Sequence, residues 1–239
     1  MNEPASEPEG YPELEEETLR HIEGKVYVVG AKEYRLDRLV GESMNVSYNQ
    51  RRAVFWATRA SDSLEAIIKF FIEQHPILAT VDIRRRIFCR LGRTAIEAEI
   101  KALEAGEDVK GLPHILERCS DVQGPEFEYP GGVLDIVAMT RLPGYPLDLF
   151  QGQLEPWEVD YAKGEVLRIV RELRQRGRAY TLGDPSKVIL DRQGLQVGIC
   201  SLGRAIATPR REWPISENTN VIQQLGREIW WIYGQSRDT

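Results

Sequence analysis

The sequence predicts an α+β protein of two lobes, and three observations lead to this prediction. Short strand-like runs dominate the first half, two longer segments have apolar residues at helical spacing, and a segment rich in Pro and Gly separates the halves at 141–149. The 239 residues are 42% hydrophobic and 28% charged, a composition typical of globular proteins. We therefore predict three regions: an acidic tail with a short helix over 1–24, a strand-rich lobe over 25–140, and a short, mainly helical lobe over 141–239.

The first half contains four predicted strands and one predicted helix. The strands are the apolar runs at 25–30, 53–59, 65–73 and 132–140. The helix covers 94–106, where Ile96, Ile100 and Leu103 recur at helical spacing and Thr94 can cap the first turn. The order predicts a sheet with one helix packed on it.

The second half begins with the longest predicted helix, at 155–177. Pro156 suits the first helical position, and arginines in the last turn complement the helix dipole before Gly177. Two short strands follow, in the runs "KVIL" and "LQVGIC", and a final helix is predicted over 220–234. Helix therefore outweighs strand in this half.

The distribution of charge argues against a nucleic-acid surface. The net charge is −6, but seven glutamates precede Arg20, and the rest of the chain has 31 basic and 30 acidic side chains. The first twelve residues, acidic and rich in Pro, are predicted to form a mobile tail. Clusters of arginine at 83–93 and 171–178 are typical of solvated helix faces, and less often mark an anionic partner.

Cysteine use and hydropathy favour a soluble, cytoplasmic protein. Cys89, Cys119 and Cys200 are too few and too widely spaced for a disulfide framework. No run approaches the roughly 18 apolar residues of a membrane helix, and the acidic N-terminus is unlike a signal peptide. We expect no membrane and no nucleic acid among its partners.

Motifs for metal or cofactor chemistry are absent from the sequence. The three histidines are scattered without a His-Glu-x-x-His pattern, and there is no Gly-x-Gly-x-x-Gly, Walker or Gly-x-Ser-x-Gly motif. We expect no bound metal and no cofactor.

Several segments nevertheless follow one another in a familiar order. Lys69 lies in the predicted strand "EAIIKFF", Glu99 (less favoured, Glu97) lies on the following helix, and Met139 ends a strand before the connection. The segments 173–190 and 195–205 then give a helix end, a Gly, a loop with Pro185 and two strands. This order resembles the protein-kinase-like fold, in its small fungal and aminoglycoside-kinase-like versions. The resemblance implies a β-rich N-lobe with one helix, a short helical C-lobe, and a Lys69–Glu99 ion pair.

The resemblance also implies that the phosphotransfer residues have been lost. In its register the loop His is Tyr180, the catalytic Asp is Leu182 and the metal-binding Asn is Lys187. Ser201-Leu202-Gly203 replaces the metal-binding Asp-Phe-Gly. Because phosphotransfer depends on positioning and on magnesium held by such anions, these replacements predict a protein without kinase activity.

Three hypotheses for function follow. The first is a catalytically dead kinase-fold protein that binds a protein partner or a small molecule through its cleft or surface. The second is a converted enzyme that binds a small, natural-product-like ligand in an apolar cleft and catalyses a cofactor-free isomerisation or cyclisation. The third is an atypical ATP-dependent phosphotransferase using Asp184. The predicted ligand-binding residues are Lys69, Glu99, Met139, Tyr180, Leu182, Ser201 and Leu202.

Overall fold

The computed structural model describes residues 19–45, 48–74, 82–150, 152–180, 184–203 and 205–208. The predicted mobile tail and the predicted helix over 220–234 lie outside these residues. The described residues divide into two compact units. We call 19–104 with 113–141 the sheet unit, and 105–112 with 142–208 the helical unit.

The sheet unit contains one antiparallel sheet of six strands. They are β1 (Val26–Val29), β2 (Lys32–Asn45), β3 (Gln50–Arg59), β4 (Glu65–Glu73), β5 (Ile115–Val122) and β6 (Val133–Thr140). Their spatial order is β1-β2-β3-β4-β6-β5. The two edges approach each other, since the Cys119 Sγ on β5 lies 3.9 Å from the Val28 carbonyl oxygen on β1. The sheet is therefore a nearly closed barrel.

The inner face of this sheet forms an apolar core. Along β3, residues facing inward are buried and those facing outward are partly exposed, the alternation that a pleated strand produces. The Phe70 ring lies 5.5 Å from that of Phe55 and 5.2 Å from that of Tyr27, both in edge-to-face geometry. Leu36, Ile68 and other aliphatic side chains complete this core.

Helix α1 (Asp82–Ala105) packs on the outer face of the sheet. Ile96, Ile100 and Leu103 are buried on one side of it, as their spacing predicts, and Glu99 reaches β4. The helix begins well before the predicted start at Thr94, because the arginine-rich stretch preceding that residue is also helical.

The helical unit is built on α2 (Pro156–Gln175). Glu155 and Glu158 form a capping box at its start, with Pro156 at the first helical position. Five short strands accompany it: β7 (Tyr145–Pro146), β8 (Arg178–Ala179), β9 (Val188–Asp191), β10 (Gln196–Ile199) and β11 (Ile206–Ala207).

Gly111 explains why the short segment 105–112 belongs to the helical unit. Its carbonyl accepts a hydrogen bond of 2.8 Å from the Ile199 backbone N–H. Its φ is +94°, and a Cβ on it would come within 2.6 Å of the Val197 carbonyl oxygen. Only glycine permits this approach of the two backbones.

The predicted fold class, an α+β bilobal protein-kinase-like fold, is wrong. The part of the chain that the structure describes is mostly β, with 40% strand against 28% helix, and its main feature is the nearly closed six-stranded barrel. The described residues contain two α-helices. The prediction failed because it assigned no strand to 32–45 or to 115–122. These segments form the sheet strands β2 and β5. In the half expected to be mainly helical, the short strands β7, β8 and β11 lie beside the two predicted strands.

Among the described residues, neither α-helix combines the length and the apolar character that crossing a bilayer requires.

Candidate ligand-binding groove

A buried ion pair lies at the centre of the outer face of the sheet. The Lys69 Nζ on β4 donates a hydrogen bond of 2.7 Å to the Glu99 Oε1 on α1. The side chains are only 10% and 7% exposed. The predicted contact between these two residues is therefore present, and it fixes α1 against the sheet. Their predicted role in ligand binding remains a prediction.

The strand register explains which side chains surround this pair. One row of cross-strand partners crosses the sheet here. It runs from Val54 on β3 through Lys69 on β4 and Val137 on β6 to Arg118 on β5. Because cross-strand partners point to the same face, the row leads from the ion pair towards the edge at β5. Side chains on β5 and β6 thus lie beside α1.

A groove with a volume of about 420 Å³ lies between α1 and the strands β5 and β6. Ile96 and Ile100 from the helix and Val137 from the sheet give it an apolar floor. Its other lining residues are Arg93, Glu97, Arg118, Cys119, Ser120, Asp135 and Ile136. The volume falls in the range of sites for small organic molecules.

Charged residues line the rim on both walls. The Arg93 Nε on α1 lies 3.7 Å from the Asp135 Oδ2 on β6, and its Nη2 lies 3.5 Å from the Ser120 Oγ on β5. The Arg118 Nη1 on β5 lies 3.6 Å from the Glu97 Oε1 on α1. The groove combines an apolar floor with polar walls, an arrangement suited to an amphipathic ligand.

Two further groups near the groove have shifted pKa values. Burial lowers the pKa of the Arg52 guanidinium, and the nearby Glu99 carboxylate partly opposes this effect. The guanidinium carbon of Arg52 lies 5.7 Å from the centre of the Phe71 ring, so it contributes a cation–π contact on the same face. Burial raises the pKa of the Cys119 thiol, which therefore has little thiolate character.

The other predicted site residues are placed as follows. Met139 is buried on β6, where its cross-strand partner is Ile67. Tyr180 and Leu202 are buried in the helical unit. There too, the Lys187 carbonyl accepts a hydrogen bond of 2.9 Å from the Cys200 backbone N–H, next to the partly exposed Ser201. Leu182 lies outside the described residues.

Sequence reasoning missed several of the groove residues. It predicted Ile96 and Ile100 as the buried stripe of a helix, but it gave no role to Arg118, Ser120 or Asp135. The run 115–122 has the β-branched residues Ile115 and Val122 at its ends and mostly polar residues between them, which gives a weak strand signal. The residues therefore become a site only once β5 is paired with β6.

The described residues contain no cluster of three or more His, Cys, Asp or Glu side chains that could hold a metal ion. No model of a known protein family matches the chain, and no curated protein matches it either. No matched family therefore supports the resemblance to protein kinases. The function proposed below is inferred from the geometry of the groove.

Proposed function

We propose that the protein is a binding protein, and that the groove between α1 and the strands β5 and β6 holds a small organic ligand. The observation that carries the proposal is the combination of volume and lining. A space of about 420 Å³ over Ile96, Ile100 and Val137 can take a ligand with an apolar body.

Lys69 supports one wall of the groove in this proposal. Its ammonium group is buried and already engaged by Glu99 at 2.7 Å. A buried charge in a close pair stabilises the arrangement of its own elements, here α1 against β4, and α1 forms one wall of the groove. The pair therefore acts as a support for the groove in this proposal.

The proposal is tested with a neutral, environment-sensitive dye, N-phenyl-1-naphthylamine, excited beyond the absorption of tryptophan. We expect saturable fluorescence enhancement with one site per chain. Ser120 is exposed on the groove wall, so Ser120→Trp should fill the groove without disturbing the core and should abolish the signal. The matched control is Ser61→Trp, in the exposed β3–β4 turn, which should bind the dye normally. Equal enhancement in both variants would contradict the proposal.

The absence of phosphotransfer is tested by thermal unfolding with ATP and magnesium. A ligand that binds only the folded state raises the melting temperature in proportion to its affinity. We expect no change in Tm at millimolar nucleotide, whereas a rise of several degrees would revive the phosphotransferase hypothesis.

A further inference from the structure

The two arginines of the groove are paired differently from other arginines of the described chain. Arg59, Arg176 and Arg192 each donate two hydrogen bonds of 2.6–3.0 Å to a single carboxylate. Arg93 and Arg118 instead keep their acidic neighbours at 3.7 and 3.6 Å. These separations exceed the hydrogen-bonding distance of an N–H group to an oxygen, which is about 2.7–3.2 Å.

Because these contacts are long, N–H groups of Arg93 and Arg118 can still donate hydrogen bonds to a ligand in the groove. A guanidinium has about five N–H donors in a fixed plane, and the contact of 3.5 Å from Arg93 to Ser120 is at the limit of a hydrogen bond. The side chains of Arg93 and Arg118 are 56% and 51% exposed, so a ligand can reach both. A close carboxylate would satisfy these donors better than the present neighbours do.

The spacing of these groups places both guanidiniums at one rim. Arg93 and Glu97 are four residues apart on α1 and share a helix face. Arg118 and Ser120 are two residues apart on β5, about 6.7 Å along one strand face. Arg93, on α1, contacts Ser120 on β5, and Arg118, on β5, contacts Glu97 on α1. The two arginines therefore extend from opposite walls of the groove. Their guanidinium groups lie about one helical turn apart along it.

We infer that the ligand of the groove is an amphipathic organic carboxylate. Its apolar body lies on Ile96, Ile100 and Val137, and its carboxylate accepts hydrogen bonds from Arg93 and Arg118. This inference rests on the proposed function and adds the charge and chemical class of the ligand.

The test compares three probes with the same eight-carbon chain in calorimetric titrations: octanoate, octanol and octylamine. We expect octanoate to bind at least tenfold more tightly than octanol, and octylamine to bind more weakly than octanol. In the double variant Arg93→Gln/Arg118→Gln, octanoate should lose about tenfold in affinity and match octanol, whose affinity should not change. The control is Arg35→Gln, which removes an exposed arginine paired with Asp37 on β2 and should leave all three affinities unchanged.

The outcomes separate the inference from the proposed function. If octanol binds as tightly as octanoate and Ser120→Trp blocks both, the inference is wrong and the groove remains a binding site. The inference is equally wrong if the double variant keeps the full octanoate affinity. If neither the dye nor any eight-carbon probe binds, the proposed function itself is wrong.

A fourth arm tests an acidic peptide as the alternative occupant. A synthetic peptide of residues 2–17, which contains seven glutamates, is titrated against the full-length protein. Binding of this peptide that depends on Arg93 and Arg118, without binding of octanoate, would overturn the inference in favour of a macromolecular acidic segment.

Discussion

The two faces of the six-stranded sheet are built on different physical principles. The inner face is closed over an apolar core in which Phe55 and Phe70 are fully buried. Helix α1 packs on the outer face, and there a buried ion pair, a cation–π contact and a groove take the place of continuous apolar packing. The same strands supply both faces, because successive residues point to opposite sides.

If the groove binds a ligand as proposed, we expect binding to depend on the outer face, whereas the inner face contributes to stability alone. A change of side-chain volume on the inner face should lower the free energy of unfolding, since protein interiors are close-packed. The outer face contains an open space, so some of its side chains can change at little cost to folding. Four substitutions test this division, from the largest expected effect to the smallest.

Phe70→Ala should have the largest effect. The side chain is fully buried between Tyr27 and Phe55, and its removal leaves a cavity that closed strands cannot fill. We expect a loss of about 4 kcal/mol in the free energy of unfolding, measured by urea denaturation. Val122→Ala, at a position 64% exposed on β5, is the control and should change stability very little. Similar losses in the two variants would refute the inner-face core.

Lys69→Met should cost about 3 kcal/mol, because it removes the ammonium group that lies 2.7 Å from the buried Glu99 carboxylate and compensates its charge. The double variant Lys69→Met/Glu99→Leu should regain most of this loss, since it replaces the pair with apolar groups. Denaturation curves of the two variants provide the measurement. A double variant as unstable as the single one would show that the pair does more than neutralise charge.

Ile100→Ala should cost about 2 kcal/mol, at the lower end for a buried aliphatic side chain. The side chain borders the groove, so its removal enlarges an existing space that water can enter rather than creating a sealed cavity. The same variant should weaken binding of the neutral dye. A loss in the free energy of unfolding as large as that of Phe70→Ala, with unchanged dye binding, would instead indicate that Ile100 lies in a closed core.

Arg118→Gln should change stability by less than about 0.5 kcal/mol, because its pairing with Glu97 is exposed and long. Octanoate affinity should nevertheless fall severalfold. A combination of thermal unfolding and calorimetric titration separates the two quantities, and a large fall in Tm without a change in affinity would assign the residue to folding alone.

Part of this architecture could be read from the sequence. The strand β4 coincides with the predicted 65–73, and α2 begins within one residue of the predicted helix at 155. These elements have dense apolar runs or clear end signals, which local patterns report well. The contact between Lys69 and Glu99 was also expected, although from a resemblance whose fold is wrong.

Other features depend on contacts between residues distant in the chain. The strand β2 has alternating buried and exposed positions, but its many charged residues obscured the period-2 pattern. The approach of β1 to β5, which nearly closes the barrel, joins Val28 and Cys119, and no local signal specifies it. The groove likewise needs α1 beside β5. Arg93 was therefore expected only within a solvated arginine cluster that less often marks an anionic partner, and Arg118 had no assignable role before the strand order was known.

The most direct test of the binding groove is an NMR titration of the isotope-labelled protein with N-phenyl-1-naphthylamine. We expect backbone amide shifts to change chiefly at 93–100 on α1, 118–120 on β5 and 135–137 on β6. The Ser120→Trp variant should show none of these changes. Shifts that cluster anywhere else in the chain, or a dye that binds without perturbing these three segments, would contradict the assignment of the groove as the binding site.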